Sequence, residues 1–143
     1  MTKAPVRMTV TLAAADSRRL IHARGDDGVP ASQRIRAAVQ LWRDDPSVRA
    51  QIDAAAAAAR AARLQPGSAD AAAKKVKVTV LMDPTVLRDL WAARSQDKVS
   101  TTARIRAAVG LWSTDSELRT RIDTTAKELH QAQRARPEVA RPA

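Results

Sequence analysis

A segment of 47 residues occurs twice in this chain. Shifting the sequence by 70 positions lays residues 7–53 on 77–123 without a gap, and roughly 20 of the 47 pairs are identical. The best block is Arg34-Ile35-Arg36-Ala37-Ala38-Val39 against Arg104-Ile105-Arg106-Ala107-Ala108-Val109, followed by Leu41-Trp42 against Leu111-Trp112. Two copies are too few for a solenoid, whose units are stabilised by serial stacking, so the two units are expected to pack face to face.

Each copy opens on a short stretch of alternating character. In Arg7-Met8-Thr9-Val10-Thr11-Leu12 and Lys77-Val78-Thr79-Val80-Leu81-Met82, apolar residues take every second place, the period of a strand with one buried face. A lone two-stranded ribbon is marginal in water, so the two strands should pair with each other over helices that cover their apolar side. The opposite side stays open and, apart from Leu81, is polar.

Three helices per copy follow. The first is predicted over about 14–24 and 84–95, with Leu20, Ile21 and Val86, Leu87, Leu90, Trp91 as its apolar residues; Asp83 before Pro84 is an N-cap signal. Polar turns come next, Gly25-Asp26-Asp27-Gly28 and Ser95-Gln96-Asp97-Lys98. The second helix is expected to be N-capped by Ser32 or Thr102 and to run to about 43 or 113, with Ile35, Val39, Trp42 and Ile105, Val109, Trp112 on one face. Asp45-Pro46 and the capping box Thr114-Asp115-Ser116-Glu117 start the third, which carries Val48, Ile52 and Leu118, Ile122. The fold class is therefore mainly α with one two-stranded antiparallel ribbon. The predicted divisions are a first unit over 1–64, a linker over 65–75, a second unit over 76–136, and a disordered tail over 137–143. A linker of about 11 residues spans up to about 36 Å, enough to bring the second strand back beside the first.

Charge narrows the partner. Lys and Arg number 25 against 15 Asp and Glu, a net charge of +10, with an excess in both halves: 11 basic and 6 acidic groups in residues 1–64, 12 and 8 in 76–143. A polyanion in contact with both halves is expected, nucleic acid before an anionic membrane surface. No run approaches the ~18 apolar residues of a membrane span, and the first residues lack the apolar core of a signal peptide. With no cysteine there is no disulfide and no thiolate metal site. These features predict a cytoplasmic protein that does not engage membranes.

The strand, helix, polar turn and second helix leading into Ile-Arg-x-Ala-Val resemble the ribbon-helix-helix family of DNA-binding proteins, the group of the Arc and MetJ repressors. The matching residues are Arg7 to Leu12 with Ser32, Ile35, Arg36, Ala38 and Val39, and Lys77 to Met82 with Thr102, Ile105, Arg106, Ala108 and Val109. The resemblance covers about 7–43 and 77–113, and the third helices are extra to it. Members are normally homodimers whose antiparallel strands enter the major groove. It implies that the two halves of this chain stand for two subunits, an intramolecular pseudo-dimer like the tandem members among conjugation accessory proteins and some repressors.

The major groove admits a two-stranded ribbon and offers donors, acceptors and thymine methyls to side chains at alternate positions. Arg7, Thr9, Thr11, Lys77, Thr79 and Leu81 hold those positions and are the expected base contacts. Arg7 and Lys77 suit guanine, and Leu81 suits a thymine methyl. Because the family usually has a polar residue where Leu81 stands, the two half-sites are expected to differ. The second-helix N-termini are expected to clamp phosphates through Ser32, Gln33 and Thr102, Ala103, with Arg34 and Arg104 adding to them and Lys3 on an N-terminal arm.

Other residues carry structural expectations. Trp42 and Trp112 read as core or inter-unit packing, Trp91 as core or rim, Arg36 and Arg106 as structural ion pairs, and His22 and His130 as surface residues. The Arg-Gly-Asp at 24–26 is a charged turn. No nucleophile with a base, no carboxylate pair in distinct environments and no Gly-rich phosphate loop is present, so no enzyme, cofactor or metal is expected. Two further functions compete with sequence-specific DNA binding. One is a helical interaction module, antitoxin-like or adaptor, using Ala54 to Ala62 and Ala126 to Arg136; the other is a non-specific nucleoid-type binder. Partners are therefore double-stranded DNA, further copies on adjacent sites, and a protein at the third helices.

Overall fold

The computed structural model describes residues 5–63 and 75–135. Strand β1 (Val6–Ala13) leads directly into α1 (Ala14–Asp27), followed by α2 (Ala31–Asp44) and α3 (Pro46–Arg63); β2 (Lys75–Met82), α4 (Pro84–Asp97), α5 (Thr101–Thr114) and α6 (Ser116–Ala135) repeat that order. Among the described residues the chain is mainly helical with one two-stranded antiparallel sheet. Val6 lies opposite Met82, Thr9 opposite Thr79 and Ala13 opposite Lys75. Thr79 is the repeat equivalent of Thr9, so the ribbon is centred on a pair of equivalent residues.

The alternation puts Val10, Leu12, Val80 and Met82 on the inner face, where all four are buried, with Met8 and Val78 half-buried against the same core. The helices above them come from the opposite half: α5 lies against β1 and α2 against β2. The third helices cross as well, α3 packing on α5 and α6 on α2. One apolar cluster therefore contains Val10, Leu20, Ile35, Trp42 and Ile52 together with Val80, Leu90, Ile105, Trp112 and Ile122. The expected packing role of Trp42 and Trp112 holds. Trp91 does not enter the core: it is 56% exposed, and its equivalent Ile21 is 65% exposed. Leu20 and Leu90 take the inward direction, and the next residue falls about 100° away around the helix.

The helix boundaries differ from expectation at three points, each for a local reason. The first helices run through the predicted turns to Asp27 and Asp97, ending at Gly28 and Lys98 in the left-handed region (φ 76° and 64°), whose N–H groups donate to the carbonyls of Arg24 and Arg94. Asp27 and Asp97 then accept the N–H of Val29 and Val99, each at 2.9 Å, which turns the chain immediately. Because the turn is short, the second helices begin at Ala31 and Thr101. Ser32 and Thr102 sit in the first turn and are not N-caps. Pro30 holds that place in one half without a side-chain bond, and Ser100 caps α5 by accepting the Ala103 N–H at 3.1 Å. The third helices are capped by aspartates: Asp45 accepts from Ser47 and Val48, and Asp115 from Leu118 at 3.1 Å. Thr114, expected to open a capping box, is the last residue of α5 and donates to the Gly110 carbonyl. The Asp83 cap is present, accepting from Thr85 at 2.7 Å.

Lys75, read as the end of a linker, is the first residue of β2. The expected arm with Lys3, the rest of the linker, Leu64 at the end of the first unit, and the tail lie outside the described residues. Among those described, no helix is long and apolar enough to cross a membrane.

Leu12 is 1% exposed beneath the ribbon, so Leu12→Ala should cost about 2–5 kcal/mol in urea unfolding. Ile21→Ala, at a site 65% exposed, should stay within about 0.5 kcal/mol.

Candidate nucleic-acid interface

The outer face of the ribbon carries all six expected base-contact residues. Side chains alternate along a strand and directly opposed residues share a face, so Arg7 stands beside Leu81, Thr9 beside Thr79, and Thr11 beside Lys77. Thr11 is half-buried and the other five are exposed. Continuing the alternation adds Lys75, opposite Ala13 and exposed. The sequence carried a signal for it: Val76 extends the series Val78, Val80, Met82 by one step and places Lys75 in line with Lys77. The face is unequal end to end. Arg7 and the apolar Leu81 share one end, Lys77 and Lys75 bring two ammonium groups to the other, and four consecutive outward pairs hold three cations and no carboxylate.

The expected phosphate clamp at the second helices is altered. Arg34 is only 2% exposed and donates three ways: from Nε to Asp123 Oδ1 at 3.0 Å, from one terminal nitrogen to the Val29 carbonyl at 2.6 Å, and from the other to Asp27. Arg104 repeats the pattern, donating to Asp53 at 3.0 Å, to the Val99 carbonyl at 2.7 Å, and to Asp97. These guanidinium groups are committed inward and cannot also serve a phosphate. Gln33 is buried and paired with Gln133, and Ala103 is buried with its N–H taken by Ser100. The Gln33 N–H donates to the Pro30 carbonyl at 3.1 Å. Of the clamp, Ser32 and Thr102 remain half-buried in the first turns. Arg36 and Arg106, expected to be structural, form no ion pair among the described residues.

The buried arginines organise a network that the sequence reading missed. Asp123 Oδ1 accepts from Arg34 and also from Trp112 Nε1 at 2.7 Å; Asp53 Oδ1 accepts from Arg104 and from Trp42 Nε1 at 2.8 Å. Each guanidinium approaches a tryptophan ring, Arg34 at 5.9 Å from Trp112 and Arg104 at 6.0 Å from Trp42. A second arginine approaches each ring, Arg49 at 4.1 Å and Arg119 at 5.1 Å. Asp27, Arg34, Trp42, Arg49 and Asp53 are all identical to their equivalents 70 residues on, and that identity in polar residues was the available signal. The network holds α2 to α6 and α5 to α3, fixing the helices beneath the ribbon.

Burial works to raise the Asp27 pKa, but the Val29 N–H, the bond and charge of Arg34 and the charge of Lys127 outweigh it and hold the carboxyl below its ordinary 3.8. No protein-family model, curated protein or solved structure matches the chain.

An ammonium group lacks the planar fork that reaches Asp27, Asp123 and the Val29 carbonyl together, so Arg34→Lys should destabilise the fold by about 1–3 kcal/mol in denaturant unfolding. Asp27 is depressed in the folded state, so its contribution is present above the ordinary carboxylate pKa and is lost as pH falls through the folded value. Asp27→Asn should therefore lower stability near neutrality and flatten the fall in stability below about pH 4, measured by unfolding across pH.

Proposed function

We propose that this chain binds double-stranded DNA sequence-specifically, laying its ribbon in the major groove with Arg7, Thr9, Thr11, Lys77, Thr79 and Leu81 toward the base edges. The observation that carries this reading is the outer face of a ribbon whose inner face is sealed to the core: a row of cations, hydroxyls and one apolar group, exposed among the described residues except for the half-buried Thr11 and in register across two strands. A groove about 12 Å wide accepts two strands about 4.8 Å apart with their side chains. The row from residue 7 to 11 spans about 13 Å, comparable to about four base-pair steps.

In this reading the chain is a tandem ribbon-helix-helix protein, each half taking the part of one subunit. The resemblance of the two Ile-Arg-x-Ala-Val segments supports it, as do the antiparallel pairing centred on Thr9 and Thr79 and the crossing of α3 and α6 between halves. A net charge of +10 supplies the sequence-independent attraction to phosphates. Lys75 joins the contacts at the Lys77 end. The N–H groups and hydroxyls of Ser32 and Thr102, at the first turns of α2 and α5, face the backbone, and Arg34 and Arg104 hold the scaffold without touching DNA. Binding of this kind serves repression, by occupying a promoter, or an accessory role at a plasmid or mobile-element site.

Selection of bound duplexes from a random pool at about 150 mM salt should enrich one short site with unequal halves. Thr9→Ala with Thr79→Ala should abolish the preference and leave salt-sensitive binding, and Leu81→Thr should draw the enriched site toward a palindrome. A pool that stays random after selection would overturn the proposal.

A further inference from the structure

Between α1 and α6 lies an open groove of about 840 Å³, within the range of small-ligand sites. One wall carries Arg18 and His22 of α1, the other Arg119, Asp123 and Lys127 of α6, each row spaced at four residues so that its side chains stand on one helix face. Most of the charge is already used. Asp123 and Asp27 hold Arg34, and Arg119 donates to the carbonyls of Trp112 and Ser113 at 2.8 and 2.5 Å. His22 lies 3.9 Å from Asp26, and Arg19 pairs with Asp16 at 3.4 Å. Arg18 and Lys127, on opposite walls, form no ion pair among the described residues.

The internal repeat provides a comparison within the same molecule. Counting permanent charges, the groove is lined by five cations and three carboxylates. The positions related by 70 residues hold three cations and three carboxylates, because Asp89, Ala92 and Ala57 stand where this groove has Arg19, His22 and Lys127, and Gln96 replaces Asp26. Arg18 is retained there as Arg88. The duplicated frame is thus neutral on one side and carries a concentrated positive surplus on the other. Like charges gathered in a concavity repel one another in the free protein, and an anion placed among them removes that repulsion.

We propose that the groove between α1 and α6 binds a small phosphate-bearing anion, held between Arg18 and Lys127 with His22 beside it. Donors on two walls suit a tetrahedral group whose oxygens point several ways, and charge-assisted bonds to phosphate are the strong ones. The apolar surface of Ala15 and Ala23 on the α1 side gives room for a non-phosphate portion. This site is separate from the ribbon, and its occupation does not require DNA.

The test is calorimetric titration of the full-length, DNA-free protein with inorganic pyrophosphate and, separately, with ADP, at about 150 mM salt. One saturable site is expected. Arg18→Ala and Lys127→Ala should each weaken it about tenfold, while Arg88→Ala, at the equivalent position of the other half, changes affinity less than about twofold. All three side chains are exposed, and an unchanged circular dichroism spectrum checks that each variant is folded. Tighter binding of ADP identifies a nucleotide as the natural source, and equal binding identifies the phosphate group alone. Absence of a saturable site for either probe, or equal weakening by Arg88→Ala, would overturn the proposal.

Discussion

A buried guanidinium must be met by acceptors on all sides, and two such groups set the arrangement of this fold. Arg34 and Arg104 are each 2% exposed, and an ion removed from water this completely is tolerated only where partners surround it. Each arginine finds one carboxylate in its own half, Asp27 or Asp97, and one in the opposite half, Asp123 or Asp53. The second carboxylate is itself positioned by a tryptophan N–H. Neither half can satisfy its own arginine. The charges thereby specify which third helix lies on which second helix, a choice that alanine-rich surfaces such as that of α3 leave poorly determined.

Most of the frame was legible because it is governed by period. The alternation in residues 7–12 and 77–82 located both strands and their inward faces, and the spacing of Ile35, Val39 and Trp42 located the packed face of α2. The interchange of Arg34 and Arg36 shows where the reading went astray. Arg34, Ala38 and Trp42 recur every four residues and share the buried side, whereas Arg36 and Gln40 lie on the side away from it. The wheel contains that information, whereas an arginine beside a helix start also suits the binding of an anion, and position alone does not choose between the two. The cap positions were misplaced for a different reason. Asp27 and Asp97 bend the chain through their own side chains, which shortens the turn and moves the helix start ahead of Ser32 and Thr102. That choice between two local hydrogen-bonding patterns depends on which one the core below accepts, and a single sequence does not display it.

The candidate interface was partly legible. Its six ribbon residues follow from alternation alone, and Lys75 was missed only because the strand was ended too early. The groove between α1 and α6 was invisible in the linear sequence, since it joins residues about a hundred positions apart. A pattern nevertheless runs through both surfaces. The polar residues of the buried network, Asp27, Arg34, Trp42, Arg49 and Asp53, are identical in the two copies, while differences on the outward side include Thr11 against Leu81, Gly28 against Lys98, and His22 against Ala92. The two copies thus share the polar network and differ in the charges and groups they turn outward at these positions.

The crossing of the helices has a temporal meaning during synthesis. When the first half has emerged, Val10 and Leu12 still lack α5, α3 touches α2 but lacks its main partner α5, and Arg34 lacks its carboxylate from α6. The last of the missing elements, α6, is complete about 70 residues later, a delay of roughly 4–14 s at ordinary elongation rates. Through that interval the nascent chain presents an unpaired strand edge and a bare apolar face, the condition under which neighbouring chains on one message exchange halves. A linker tying both halves into one chain raises their mutual concentration as soon as the second is complete, and so favours closure within a chain over exchange between chains.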